Sequence, residues 1–407
     1  MKVLIIHNDL RVYWKRRLIF LREFLSNKGV DLYAVELFGK GSPYDFDLFT
    51  KGEKWWDCLF PQNSVEELTK HQIKDKIFSK LDEIKPDIVI AGSIVFYAGA
   101  LGLRWAKQNR KKFIMFDDAK ATDVKRNWLV QTIKNTITRQ IDALWIPSTD
   151  YQQGYAAILN TNKIHFFYGY DCIDNSQFKF KGNDRSFNNK TIVCVARLVP
   201  IKNLHNLLQA WKVVENVNQH HKLVIIGDGP LINELKELES SLHLKNVSFL
   251  GAMPNQKVLE HLHQSDALVL PSYAESWGLV VNEAMAAGLP VLLSNKVNAA
   301  GTLLKEGVNG YSFSPSSIDE IQEKLMRFVQ LPEVEKKQMS NNSLKIISTM
   351  DFDNMGKKLT DALNLIGTRP YTRPGLLSGL LINLWYGRYN TKGWDKAEDL
   401  NDKRLFR

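Results

Sequence analysis

Cysteine is scarce: three residues in 407, at positions 58, 172 and 194. The number is odd and the spacing matches no motif, which argues against a disulfide framework and for a reducing, cytoplasmic setting. No stretch approaches the roughly 18 apolar residues that span a bilayer, so no transmembrane helix is expected. The amino terminus, Met1-Lys2-Val3-Leu4-Ile5-Ile6-His7, lacks a small-residue cleavage site and is expected to form a first strand rather than a targeting peptide. No internal repeat at a fixed period is visible, which sets aside solenoids and propellers.

What is present is enough chain for two domains of ordinary size. The net charge of +10 is unevenly placed. Residues 107–140 hold nine Lys or Arg against three Asp, and residues 367–407 hold eight against four acids. Such clustering suggests an anionic partner surface. A membrane fits better than nucleic acid, because no nucleic-acid motif accompanies the charge.

Apolar runs and helical periods alternate through the first half. Strands are expected at Lys2–Ile6, Asp31–Leu37, Asp87–Ala91, Phe113–Phe116 and Ala143–Pro147. Helices are expected at Trp14–Asn27, Glu66–Ile84, Leu101–Asn109 and Trp128–Ile141, with residues 39–64 a long loop. This is the pattern of a doubly wound parallel sheet. Residues 169–190, rich in Lys, Gly and Asn, read as a linker. The alternation resumes at Thr191–Val195 and runs to a helix at Ile318–Val329, then Phe352–Leu365. Leu376–Tyr386 is apolar and aromatic.

The most informative stretch is residues 266–295. Ala267–Leu270 is a buried-strand run, Pro271 ends it, Leu279–Ala287 is a helix, and Val291–Leu293 is the next strand. Ser276 is placed to cap the helix, and Gly278 lets the backbone approach a ligand. Ligands of parallel sheets bind at such strand-to-helix loops, where a helix amino terminus favours anions. Glu275 and Glu283 frame the loop with seven residues between them. A second loop, Ala196 to Asn203, puts Arg197 and Lys202 after a buried strand, suited to phosphate oxygens. Gly227-Asp228-Gly229-Pro230 and Leu250 to Pro254 are further loops at strand ends.

The string Pro-Ser-x-x-Glu-x-x-Gly-Leu-x-x-x-Glu-Ala-Met-Ala-x-Gly-x-Pro-Val around Glu275 and Glu283 resembles the donor-site signature of retaining glycosyltransferases of family 4, glycosyl transferases group 1. Arg197 and Lys202 are similar to that family's Gly-Arg-Leu and Lys-Asn pattern, with Ala196 in place of the glycine. The resemblance covers the second half by motif and the first half by architecture alone. It implies an α/β fold, GT-B, of two Rossmann-like doubly wound domains facing across a cleft. The division expected is 1–168 on the acceptor side, a linker at 169–190, a nucleotide-sugar domain at 191–350, and carboxyl-terminal helices at 351–407. Those last helices are expected to cross back to the first domain. The alternative is an interfacial membrane segment edged by Trp385, Tyr386 and Arg388.

By the same resemblance, Arg197 and Lys202 hold the diphosphate, together with the backbone of Ser276, Trp277, Gly278 and Leu279. Glu275 contacts sugar hydroxyls and Glu283 the ribose. Gly227, Gly229 and Met253 lie near the nucleotide. The nucleoside-diphosphate sugar is a co-substrate, and no other cofactor and no metal is expected, since no Asp-x-Asp stands at a strand end. The first half lacks the family's usual His after a mid-domain strand. Asp117 or Asp118 stands there, Asp118 being the acceptor-side candidate, with His7 and Asp9 as further strand-end candidates. Lys125, Arg126, Trp128 and Lys134 mark a basic amphipathic helix, suited to an anionic membrane or an acceptor, with Lys15, Arg16 and Arg17 adding charge. The expected activity is retaining, metal-independent transfer of a sugar to a hydroxyl of a lipid-linked or cell-surface glycan acceptor. A nucleotide-sugar epimerase or hydrolase, or a silent glycan-binding protein, are the alternatives.

Overall fold

The computed structural model describes residues 1–10, 13–41, 54–120, 127–180 and 186–387. The described residues divide into two compact units, Met1–Asp171 with the segment from Phe352 to Gly387, and Cys172–Asp351.

The first unit is built on β1 (Lys2–His7), α1 (Tyr13–Ser26), β2 (Asp31–Phe38), β3 (Trp56–Phe60), α2 (Lys70–Ile84), β4 (Ile88–Ala91), α3 (Tyr97–Gln108), β5 (Lys112–Phe116), α4 (Trp128–Thr138), β6 (Ala143–Ile146), α5 (Gln152–Leu159) and β7 (His165–Tyr168). All seven strands are parallel, in the order β3-β2-β1-β4-β5-β6-β7. Every residue of β4, β5 and β6 is buried, as strands covered by helices on both faces must be.

The second unit follows with α6 (Asn175–Phe178), β8 (Thr191–Val195), α7 (Leu204–Val217), β9 (Lys222–Ile226), α8 (Ile232–Ser241), β10 (Val247–Phe249), α9 (Asn255–His263), β11 (Ala267–Leu270), α10 (Leu279–Ala286), β12 (Val291–Ser294), α11 (Asn298–Leu303), β13 (Gly310–Phe313), α12 (Ile318–Val329) and α13 (Glu333–Ile347). Its six parallel strands run β10-β9-β8-β11-β12-β13. Trp211, Leu207 and Val214 of α7 meet Ile192, Leu223 and Phe328 in one core beneath that sheet. In each sheet the strand order reverses beside its first strand, between β1 and β4 and between β8 and β11, and ligands of open parallel sheets bind at such points.

α14 (Phe352–Thr368) and α15 (Leu376–Leu384) belong to the first unit. The ring of Phe352 meets Phe20 of α1 at 5.3 Å. No described helix is long and apolar enough to cross a membrane.

Several sequence expectations change. The loop expected at 39–64 contains β3, an edge strand whose Trp56 and Cys58 pair with Ala34 and Glu36 of β2; residues 42–53 lie outside the described ones. The helix expected from Glu66 starts at Lys70, because Thr69 and Gln72 form a capping box: the Gln72 amide donates to Thr69 Oγ1 at 3.3 Å and the Thr69 amide to Gln72 Oε1 at 2.9 Å. The stretch at 169–190 opens with buried residues, Tyr170 through Ile173. α5, β7, α11, β13 and α13 carried no strong periodic signal and were not expected.

Candidate functional site

The loops after β8, β9, β10 and β11 share the carboxyl edge of the second sheet and are tied together by their backbones. The Leu198 amide donates to Asp228 O at 2.9 Å, the Leu231 amide to Leu198 O at 3.1 Å, and the Gly227 amide to Gly251 O at 2.9 Å. Gly227 has φ 138°, and a Cβ there would lie 2.0 Å from the Ala196 carbonyl oxygen. At Gly229 a Cβ would lie 2.5 Å from the Leu198 carbonyl oxygen. Both glycines are therefore needed for these loops to touch, whatever they bind. Met253 is half-buried in the neighbouring loop.

At the point where the strand order reverses, Lys202 and Glu275 meet in an ion pair, their side chains only 12% and 13% exposed. Ser272 Oγ also donates to Glu275 Oε1, at 2.9 Å. Asn203 holds the two loops in place: its Nδ2 donates to Pro271 O at 3.0 Å and Pro315 O at 2.8 Å. The Tyr273 amide donates to Ile201 O at 2.8 Å. Arg197 is half-buried in the same loop as Lys202. Below the pair, burial pushes the Cys194 thiol up to about 12, against the pull of Lys202, so it stays protonated.

Gly278, at φ 98°, is the residue that caps α10. Ser276 does not cap the helix: α10 has no side-chain cap, because the left-handed turn at Gly278 comes between. The first amides of α10 thus point out of the helix end, beside Glu275. The strand-like segment Glu275–Trp277 is fixed against the next loop by Ala299 N to Trp277 O, 3.1 Å, and Glu275 N to Lys296 O, 3.2 Å. Trp277 was expected to offer its backbone alone; its side chain is buried, with the indole N–H donating to Asn282 Oδ1 at 2.8 Å. Glu283 is buried, Leu279 half-buried. Ser272 and Asn203, which stand in the Pro-Ser-x-x-Glu and Lys-Asn strings, were not expected as the partners that hold these loops. The Lys202–Glu275 pair stands beside a helix amino terminus, with Arg197 in the Lys202 loop and Glu283 buried in α10, residue types suited to a phosphorylated ligand with hydroxyl groups.

The first sheet's reversal point is aromatic. His7, Trp14, Phe116, Trp145 and Tyr170 touch one another, with Trp14 and Phe116 centroids 4.9 Å apart and His7 and Phe116 5.2 Å apart. His7 Nδ1 lies 2.7 Å from Asp9 O and 3.3 Å from the Asp9 amide nitrogen, and burial lowers the pKa of the ring. Gly92 makes room: a Cβ there would lie 3.1 Å from His7 Nε2. Arg17 does not add to a basic surface. It is buried, 3.5 Å from Asp171 Oδ1 and 5.4 Å over the Trp14 ring. Burial, joined by Asp118, raises the Asp171 carboxyl to about 7 despite Arg17. Asp118 is half-buried near Tyr170 and Asp171, while Asp117 Oδ1 accepts from the Ala119 amide at 3.1 Å, a turn role. Asn8 was also missed. It is buried at the end of β1 with both ends of its amide unsatisfied, and such groups are normally partnered by a ligand or water.

Lys134 is buried and faces inward with Asp117 and Met115. It is the one cation of α4, so the described helix presents no basic face. Trp128 is 71% exposed, and Lys125 and Arg126 lie outside the described residues. Trp385 and Tyr386 also turn inward: the Trp385 indole donates to Ile94 O at 2.7 Å, and the Arg104 guanidinium lies 4.4 Å from the Tyr386 ring centroid. Arg388 lies outside the described residues.

With this geometry in hand, residues 175–345 match the family model of glycosyl transferases group 1. Over that segment the chain resembles the group 1 glycosyltransferases. N-acetyl-alpha-D-glucosaminyl L-malate synthase of Bacillus anthracis is 30% identical over 190 residues, 46% of this chain and 46% of that protein. The capsular polysaccharide biosynthesis glycosyltransferase CapM of Staphylococcus aureus is 26% identical over 164 residues, 39% of this chain and 41% of CapM. The matches therefore span less than half the length of either relative. Solved structures extend the likeness to the whole fold. Sucrose-phosphate synthase of Thermosynechococcus elongatus superposes with a TM-score of 0.71 at 13% identity, over 90% of this chain and 99% of that one. Anabaena HepE, solved with UDP-glucose, gives 0.68 at 17% identity over 90% of this chain and all of HepE. The two doubly wound sheets are those of the GT-B fold.

Proposed function

We propose that the chain is a retaining glycosyltransferase that uses a nucleoside-diphosphate sugar and glycosylates a hydroxyl of a lipid-linked or cell-surface glycan. The observation that carries this reading is the Lys202–Glu275 pair at the reversal point of the second sheet, with Arg197 in the same loop and the α10 amino terminus beside it. The relation to CapM, named for capsular polysaccharide biosynthesis, and the UDP-glucose bound to HepE support both the donor and the acceptor class. The three cysteines are buried thiols, in keeping with a cytoplasmic setting.

In this mechanism Arg197, Lys202 and the α10 amides neutralise charge developing on the leaving diphosphate, without need of a metal. Glu275 exchanges its Lys202 contact for sugar hydroxyls, and Glu283 takes the ribose hydroxyls. The bond from the anomeric carbon to the phosphate oxygen breaks, and the acceptor oxygen bonds to that carbon on the same face. The acceptor proton passes to the departing diphosphate oxygen.

A thermal-shift panel of nucleotide sugars identifies the donor, because a bound ligand raises stability by mass action. With that donor and a glycan acceptor, R197A and K202A should each lower kcat/KM by about 10²–10³, and E283Q should raise KM. Unchanged turnover in all three variants would refute the assignment. Donor consumption that needs no acceptor would instead indicate an epimerase or hydrolase.

A further inference from the structure

At the amino edge of the first sheet, opposite the edge bearing His7 and Asp118, lies a hollow of about 700 Å³. Six cations line it, Lys107, Lys112, Arg139, Lys163, Arg369 and Arg373, against the single carboxylate of Asp142. Four are partly engaged. Lys107 and Lys112 share Asp142 at 2.9 and 3.4 Å, Arg139 Nε donates to Leu159 O, and an Arg369 N–H donates to Lys163 O at 3.3 Å. Cations beside helix carboxyl termini are common, and α3, α4, α5 and α14 all end here. That accounts for the engaged four. Among the described residues Lys163 and Arg373 form no ion pair and are exposed. Burial, with Lys112 alongside, also lowers the Lys107 pKa, so an added anion would be welcome.

The rim of the hollow includes Gly375, the residue that caps α15. From that rim α15 runs as Leu-Leu-Ser-Gly-Leu-Leu-Ile-Asn-Leu without a charge. Ile382 is buried against the unit, and Arg104 holds the helix by donating to Ile382 O and Trp385 O, each at 3.1 Å. The opposite side carries Leu376, Leu377, Leu380 and Leu384, exposed at 97%, 66%, 57% and 68%. At 3.6 residues per turn these four share one stripe. A continuous exposed leucine stripe beside a cationic hollow is unusual for a free surface.

We propose that this surface docks on an anionic phospholipid membrane, with a headgroup phosphate in the hollow and the leucine stripe of α15 in the acyl boundary. Charge complementarity selects the occupant: a purely apolar protein groove would leave Lys163 and Arg373 unanswered, and a soluble phosphate would leave the leucines exposed. The inference is independent of the transfer chemistry, since membrane binding requires neither donor nor acceptor.

The test is co-sedimentation of the full chain with vesicles of phosphatidylcholine alone and with about one-third phosphatidylglycerol. Binding is expected only to the anionic vesicles. K163A/R373A should weaken it roughly 30-fold, from about fivefold per cation. L377S/L380S should weaken it comparably, while K222A/K245A, which removes two exposed cations of the second unit, should not. All six positions are exposed, so melting temperatures should match the wild type. Equal loss in the control pair would overturn the proposal, since it would reveal diffuse charge attraction. So would binding that survives both hollow and leucine variants. Stabilisation by inorganic phosphate with no vesicle binding would overturn it in favour of a soluble anion.

Discussion

Asp171 shows how far a residue's environment can move it from its sequence reading. In the sequence it belongs to a polar connecting stretch; in the fold it is buried beside Arg17, a residue 154 positions away. Its native carboxyl titrates near 7, against 3.8 unfolded. Below 3.8 both states hold the proton, and above 7 neither does. Between these values the native state binds more protons, so stability falls as pH rises from about 4 to 7. The gap corresponds to at most about 4 kcal/mol. D171N should therefore gain on the wild type across that window, in thermal melts taken at half-unit steps, and keep a constant offset outside it. A constant offset throughout would show that the Asp171 carboxyl titrates alike in the native and unfolded states. The positions of Arg197, Lys202 and Glu275 in loops after strands, and of Glu283 within α10, by contrast, follow from local pattern. Those of Arg17 and Asp171 do not, because an aromatic cluster assembled from β1, α1, β5 and β6 decides which way they point.

The same distinction holds for elements. α7, α10 and α12 announce themselves through periodicity and breakers, and their observed bounds differ from the expected ones by at most one residue. α15 does not: its apolar run is compatible with a core helix or an interfacial one. The deciding contact is Arg104 on α3, 278 residues from Ile382. Arg104 satisfies carbonyls at the carboxyl end of α15 and supports the Tyr386 ring. Charged hydrogen bonds of this kind contribute about 1.5–3 kcal/mol. R104A should lower global stability by that order and make residues 370–387 the first site of limited proteolysis. R104K, which keeps the charge but loses the fork, should recover only part of the protection. Wild-type proteolysis kinetics in R104A would mean that the buried face of α15 alone holds it.

Two sheets that share one strand order over six strands, in one chain, carry their chemistry unequally. The second carries its cations and glycines in contiguous strand-end loops, so its motifs are visible in sequence. The first gathers His7 and Asn8 from the end of β1, Asp118 from the loop after β5 and Tyr170 from the loop after β7, and offers no contiguous motif, which is why this cluster stayed illegible. This asymmetry predicts where a donor's effect appears. Hydrogen exchange with the selected nucleoside diphosphate present should protect amides at 196–203, 227–230, 251–253 and 275–280. It should leave 107–112, 139–142 and 369–375 unchanged, since the cationic hollow is assigned to a lipid phosphate. Bound diphosphate and hollow compete for the same chemistry, oxygen anions, yet only the second sheet adds glycine loops that admit a nucleoside. Protection centred on the hollow, with the loops around Lys202 unaffected, would exchange the two assignments and place the nucleotide on the first unit.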